Sequence, residues 1–392
     1  ILIGSGIYFT IRTRFPQVRL FRKACNAVME KPEGKESVSS FQALMVSTAS
    51  RVGTGNIVGV SSAICIGGVG SVFWMWIIAI LGSASALAES TLAQIYKKKG
   101  EDGKCYGGPA YYIEAALHSR GLAVVFCIAM ILTYAFGFNM LASYNLQSTF
   151  AGQPFYNADI TPWIIGGILA LVMGWCLLGG GNRIVKVTST LVPFMGIAYI
   201  LVSLLVVVLN IGQLPSVMAQ IFKEAFDFKA IFAGFAGSAM MQGIRRGLYS
   251  NEAGIGSAPN AAASAVVSHP VKQGLVQMLS VFIDTLLLCT ATAMMCLVSG
   301  VIPAKELQGA PWVQAALHKT LGSFGPYFIM IAMVLFAFTT LLGNCFYCDN
   351  LLTYIHKKQP DRKFMTGFRI VSALAVFWGA GMEMTLLWHI SD

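Results

Sequence analysis

Residues 50–59 read SRVGTGNIVG, between the apolar stretches FQALMVSTA and VSSAICIGG. Arg51, Thr54 and Asn56 bring a guanidinium, a hydroxyl and an amide into the centre of what otherwise reads as a membrane-spanning helix. Such groups are costly in hydrocarbon unless a partner or ligand meets them. The three glycines weaken the helix at the same place and free peptide groups from their helical partners. Free N–H groups at the start of a half-helix attract a carboxylate, and free C=O groups at the end of one attract a small cation. The chemistry on offer is reversible binding of a small zwitterion and a cation. Glycines alone would equally suit close helix packing. The polar residues beside them, and a depth of roughly 18 Å for Arg51 counted from Ser39, favour a break.

A second such place is expected in residues 232–247, FAGFAGSAMMQGIRRG, which begin apolar and turn Gly-rich and polar mid-span. Paired Gly-interrupted helices at matching positions of inverted halves mark the binding site of a secondary transporter. Irregular backbone is tolerated at that depth only where it lines a cavity.

The elements that must position these residues follow from composition. Of 392 residues, 56% are hydrophobic and 11% charged, against about 25% charged in a soluble globular chain. The pattern is that of an all-α, multi-pass membrane protein with no separate soluble domain. After a partial leading helix (1–12) come nine expected spans: 41–66, 70–96, 122–149, 162–179, 187–211, 228–244, 272–300, 325–353 and 364–387. Segment 311–321 reads as a short external helix lying across the mouth. The first repeat is expected over 41–211 and an incomplete second over 228–387, within one transporter domain covering 1–392. Both ends read as truncated, with a fifth helix of the second repeat expected after residue 387.

Lys and Arg fix the orientation. Alternate loops hold 22 of the 27 positive residues, the opposite loops hold Lys223, Lys229, Lys305 and Lys319, and Arg51 lies within a span. The rich side is cytoplasmic. The net charge of +10 is therefore topological and does not indicate nucleic acid. The nine cysteines form no disulfide framework; most sit in apolar runs as small buried residues. The histidines fall mostly in loops without metal-ligand spacing, and the chain carries no P-loop, nucleotide motif or nucleophile elbow. An intramembrane enzyme would need such a constellation, so the chain does not read as an enzyme.

The stretches SRVGTGNIVGVSSAI, GSVFWMWIIAILGSASALAESTLAQIYK, YGGPAYYI, RRGLYSNEAGIGSAPNAAA and HPVKQGLVQMLSVFIDT resemble the alanine or glycine:cation symporter family of sodium–amino-acid symporters. The resemblance runs from YFTIRTRF near residue 8 to the end. It implies the inverted five-helix repeats of the leucine-transporter type with one extra N-terminal helix, in a bacterial-type inner (plasma) membrane. It implies uptake of alanine or glycine with Na+, and no obligate protein partner is evident. By that likeness the N–H groups around Thr54 and Gly55 would hold the substrate carboxylate. Asn56 would offer its side-chain oxygen to one Na+. The carbonyls of Ala49 and Val52, with Thr339 and Thr340, would face a second. Where much of the family has Trp after Gly, this chain has Asn344 after Gly343. That makes the pocket more polar and leaves the choice among alanine, glycine and a larger amino acid open.

Asp284, in SVFIDTLLLC, lies near Arg51 in height and has two readings: a Na+ ligand beside Thr285, or a structural ion pair with Arg51. Ser238 and Gln242 border the expected second break and would meet the substrate amino group or cavity water. Phe235, Met240 and Met241 would shape the pocket or serve in packing. Glu89 reads as a structural hydrogen-bonding or ion-pairing acid and not a coupling site, and Asn251 and Glu252 as part of a turn or of the cytoplasmic gate. The rival functions are a proton-coupled amino-acid carrier, with Asp284 titrating in place of Na+ binding, and a sensor or channel.

Overall fold

The computed structural model describes residues 1–30, 38–100, 103–227 and 238–383. Two short helices, α1 (Leu2–Arg12) and α2 (Phe21–Val28), lead into α3 (Ser40–Arg51). Helix α3 starts on a capping box, in which Ser39 accepts from the Gln42 N–H while Gln42 accepts from the Ser39 N–H. It stops at Arg51. After a break the chain resumes as a π-turn, Gly55–Gly59, and α4 (Val60–Gly67).

Helix α5 (Ser71–Ile95) follows, then a two-stranded antiparallel hairpin of β1 (Lys98–Lys99) and β2 (Cys105–Tyr106) and the short α6 (Pro109–Leu117). The long α7 (Arg120–Ser148) contains a π-turn at Leu132–Phe138. Helices α8 (Thr161–Leu178), α9 (Gly180–Leu209) and α10 (Leu214–Ala225) come next.

The second half opens with α11 (Ala239–Asn251) and the five-residue α12 (Ala258–Ala262). Then follow α13 (Pro270–Val298), with a π-turn at Phe282–Cys289, α14 (Ala310–Leu321), α15 (Phe324–His356) and α16 (Arg362–Ala380). The order broken helix, long helix, short helix, long helix, long helix thus occurs twice. This is the inverted-repeat architecture expected from the sequence, and α14 is the short helix foreseen at 311–321.

Among the described residues six helices, α5, α7, α8, α9, α13 and α15, are long and apolar enough to cross a membrane. The chain is a multi-pass membrane protein. Helices α8 and α9 turn apolar rows outward, including Ile168, Leu171, Ile197 and Leu201, as a lipid-facing surface does. Helices α5, α13 and α15 are mostly buried and pack with α3 and α11 around the centre.

One expectation needs adjustment: the span expected at 187–211 is helical already from Gly180, in a helix that runs to Leu209 with Pro193 in its interior. The second break expected in 232–247 falls in part on residues 232–237, which lie outside the described residues together with part of the span expected at 228–244. From its cap at Ser238 the chain then runs as a continuous helix, Ala239–Asn251. Gly243 in that helix serves contact: a Cβ there would come within 2.7 Å of Trp74 Cβ, and small residues at a helix interface let backbones approach. The described part of the second half breaks between Asn251 and Ala258.

Candidate functional site

The first break is built by its own side chains. Val52 leaves helical geometry at φ −78°, ψ 86°. The Gly53 N–H turns away from the helix axis and donates to Asn56 Oδ1 at 2.8 Å. Among the described residues, no backbone N–H reaches the carbonyls of Ala49, Ser50, Arg51 or Val52, and the N–H groups of Thr54 and Gly55 find no backbone acceptor. All these residues are buried. Unpaired backbone groups at such depth call for a partner. A methyl group at Gly53 would overlap Thr340 Oγ1 on α15, and one at Gly55 would come within 2.9 Å of the Tyr249 ring. The glycines are therefore set by close approach as well as by the break.

Helix α11 runs antiparallel to this segment, with Gln242 beside Gly67, Tyr249 beside Gly55 and Ser250 beside Asn56. It ends where Glu252 adopts φ +49°, followed by Gly254 at +83° and Gly256 at +87°. A non-glycine residue in the left-handed region is held there by its surroundings. Ser257 Oγ donates to Glu252 Oε2 at 2.7 Å. Ser50 Oγ shares its proton between Glu252 Oε1 (3.1 Å) and Asn344 Oδ1 (2.6 Å). From α5, Glu89 accepts the N–H of Gly254 at 3.3 Å and of Gly256 at 3.1 Å. Glu89 is thus the hydrogen-bonding acid expected from its position.

Where the first π-turn meets the π-turn of α13, Asp284 is fully buried. Its Oδ1 accepts from Asn56 Nδ2 at 2.7 Å; its Oδ2 accepts from Thr285 Oγ1 at 2.7 Å and Ser250 Oγ at 2.9 Å. Asn56 Nδ2 also lies 3.3 Å from Ser250 Oγ. Asp284 forms no ion pair with Arg51 among the described residues. Arg51 is itself buried: Nη1 donates to the Gln277 carbonyl at 3.4 Å, while Nε and Nη2 have no hydrogen-bond partner. The carboxylate, amide and hydroxyl oxygens around Asn56 form a hard donor set suited to Na+ and not to soft metals.

Between the two breaks lies a cavity of about 20 Å³, room for roughly one water. Ser50, Arg51, Thr54 and Gly55 line it from the first break, and Tyr249, Ser250 and Glu252 from α11 and its end. Phe138 and Thr340 close the sides, and Phe138 meets Tyr249 edge-on with ring centroids 5.1 Å apart. Thr340 Oγ1 has no hydrogen-bond partner, and Thr54 Oγ1 accepts from Asn145 Nδ2 at 3.1 Å.

The structure brings Thr54, Gly55 and Thr340 to this cavity. Asn56 and Asp284 do not line it but meet Ser250, which does, and Ala49 and Val52 flank the lining residues Ser50 and Arg51 in sequence. The neighbouring Thr339 turns away, donating to the Leu335 carbonyl at 2.9 Å and lying 3.5 Å from Met195 Sδ. Asn344 sits behind Ser50, with its Nδ2 on Asn139 Oδ1 at 2.9 Å. Ser238 caps the start of α11, accepting from the Met241 N–H at 3.3 Å. Ser238 lies at the far end of the helix, roughly 18 Å from Ser250 along its axis, and Met241 roughly 14 Å from it. Phe235 lies outside the described residues. The site residues not singled out from sequence are Ser250, Tyr249, Phe138 and Asn145. The polar run SNEAG was the available signal for Ser250, but only the antiparallel register of α11 on the first break selects it.

The model of the sodium:alanine symporter family matches residues 1–392. The amino-acid carrier protein AlsT of Bacillus subtilis is 43% identical over 393 residues, which cover 100% of this chain and 82% of that one. The sodium/alanine symporter AgcS of Methanococcus maripaludis is 36% identical, covering 100% of this chain and 87% of its own. The crystal structure of MhsT in complex with L-phenylalanine matches with a TM-score of 0.59 at 14% identity, over 88% of this chain and 81% of that one. The last likeness is one of fold.

Proposed function

The chain belongs to the sodium:alanine symporter family, and on that premise we propose that it carries small neutral amino acids, alanine and glycine, into the cytoplasm together with Na+ by alternating access. The single observation that carries this reading is the first helix break, which leaves the carbonyls of Ala49 to Val52 and the N–H groups of Thr54 and Gly55 without backbone partners beside a buried cavity that α11 closes. The unpaired N–H groups of Thr54 and Gly55 would take the substrate carboxylate, and the Glu252 carboxylate on the opposite wall would face its ammonium group. One Na+ would use Asp284 and Ser250, with Asn56 Oδ1 after its amide turns from the Gly53 N–H. A second would use the carbonyls of Ala49 and Val52 with Thr340, and with Thr339 after a change of rotamer. The domain reading stays with this proposal: 41–211 and 228–387 act as the two repeats that move against each other in a plasma membrane.

The cavity is smaller than an amino acid, so the proposal requires α11 and the first break to separate for loading. Each charge carried inward across 100 mV contributes about 2.3 kcal/mol. One or two Na+ would therefore drive accumulation without ATP. The second reading is proton coupling. It is favoured by Asp284, whose carboxylate is held by neutral donors with no cation within ion-pair distance among the described residues.

The test is uptake of labelled alanine and glycine by the full-length protein in liposomes, with an inward Na+ gradient and with choline in place of Na+. A Thr54→Val, Asn56→Ala double variant serves as the site control. Saturable uptake that needs Na+ and collapses in the variant supports the proposal. Equal uptake in choline under a pH gradient transfers the coupling to protons. Binding without uptake would make the protein a sensor and overturn it.

A further inference from the structure

A second cavity, of about 650 Å³, opens at the side of the molecule that is rich in Lys and Arg. Three parts of the chain build it: the β1–β2 hairpin after α5, the short α6 with the start of α7, and the C-terminal end of α15. Its volume falls in the range of sites for small organic ligands, roughly 300–1,000 Å³.

The floor is an ordered aromatic and ionic cluster. Tyr354 Oη donates to Glu114 Oε2 at 2.7 Å, and Arg120 Nη1 lies 3.8 Å from Glu114 Oε1. The Arg120 guanidinium stands 5.8 Å from the Tyr354 ring centroid, and Tyr111 packs edge-on to Tyr354 at 4.9 Å. Glu114, the acid among the lining residues, is thus already engaged by two donors. The rim carries Lys98, Lys99, Lys357 and Lys358, and none of their four ammonium groups has a hydrogen bond or ion pair among the described residues. Lys357 is fixed at the helix end with φ +62°. Charging Glu101 and Asp102, which lie between β1 and β2 in sequence, against the lining still leaves a positive excess.

Four lysines on the lining and a guanidinium over the Tyr354 ring match a phosphate group, whose several oxygens accept charge-assisted hydrogen bonds from many sides. Basic pockets between membrane helices on the cytoplasmic side take anionic headgroups. We propose that this cavity is a binding site for a phosphate-bearing anion at the cytoplasmic surface, supplied by the headgroup of an acidic phospholipid or by a soluble phosphate. The site joins the ends of α7 and α15, the helices that carry Phe138 and Thr340 to the central cavity. Its occupant therefore stabilises the relative position of two walls of the transport site.

The experiment measures the Tm of the full-length protein in nanodiscs of neutral phosphatidylcholine and in nanodiscs containing phosphatidylglycerol. A third arm adds inorganic phosphate or pyrophosphate to the neutral discs. The variant Lys98→Gln, Lys99→Gln, Lys357→Gln, Lys358→Gln is compared with Arg22→Gln, Lys23→Gln, Arg362→Gln, Lys363→Gln, which removes the same charge away from the cavity. The expected result is a rise in Tm of at least about 2 °C in acidic discs, lost in the first variant and kept in the second. The same rise from soluble phosphate in neutral discs, with the same dependence on the lining lysines, upholds the site and assigns its source to the solution. A rise lost equally in both variants, or kept in both, would mean diffuse surface charge and overturn the proposal. So would the absence of any rise in the unmodified protein.

Discussion

Asn56 and Asp284 are 228 residues apart in the chain, and the amide of one donates to the carboxylate of the other at 2.7 Å. That bond joins the π-turn after the first break to the π-turn of α13. Single π-turns recur at functional sites because they place one helix register out of step with its neighbours. Here two of them bring a carboxylate, an amide and the Ser250 hydroxyl into one buried cluster. Under the proposed function this cluster holds a cation, and the first prediction concerns its charge. Asp284→Asn keeps the shape and removes the charge. The Na+ concentration for half-maximal alanine uptake should rise at least about tenfold, equivalent to about 1.4 kcal/mol. Unchanged Na+ dependence in a folded variant would remove Asp284 from the cation site.

The two adjacent threonines of α15 should separate. Thr340 Oγ1 faces the cavity unpartnered, whereas Thr339 is bonded to its own helix and packed on Met195. Thr340→Val should lower uptake at subsaturating Na+ by roughly tenfold, the size of one hydrogen bond to a charged group. Thr339→Val should change it by no more than about twofold. Equal losses in parallel transport assays would show that both hydroxyls serve the ion.

Gly53 leaves no room for a side chain against Thr340. Gly53→Ala should lower stability by about 1–3 kcal/mol, as overpacking does. The loss should be visible as a lower Tm in detergent. Gly53→Ala combined with Thr340→Ala should recover part of that Tm without recovering uptake. A single variant with unchanged Tm would mean that the two segments are not held at this separation.

Glu89 holds the second break by accepting two backbone N–H groups. Glu89→Gln keeps one acceptor oxygen and removes the charge, so one of the two N–H groups loses its partner. The expected cost is about 1.5–3 kcal/mol, with faster proteolysis at the 252–257 turn and reduced uptake. Limited proteolysis with unaltered rates would refute the clamp.

Much of the fold was readable without coordinates, because membrane helices announce themselves locally. Apolar length, loop charge and a polar interruption are properties of contiguous residues, and the bilayer leaves the backbone few alternatives to a helix. The break at Gly53–Asn56 was readable for the same reason, since glycines and polar groups coincide within a few residues. Glycine has two uses that look alike in one dimension. Gly243 lets α11 approach α5, while Gly254 and Gly256 take left-handed backbone at the turn.

What the sequence by itself determined was the class of the molecule, its repeated helix order, and the residues around one interrupted helix. The tertiary structure alone decided which distant residues meet them. Ser250 reaches Asn56 through the antiparallel register of α11. Thr340, and not Thr339, faces the first break through the rotation of α15 about its axis. Arg51 and Asp284 form no ion pair among the described residues. Depth along a helix follows from a fixed rise per residue and can be counted; azimuth and register follow from how side chains interlock across helices, and no single segment contains that information.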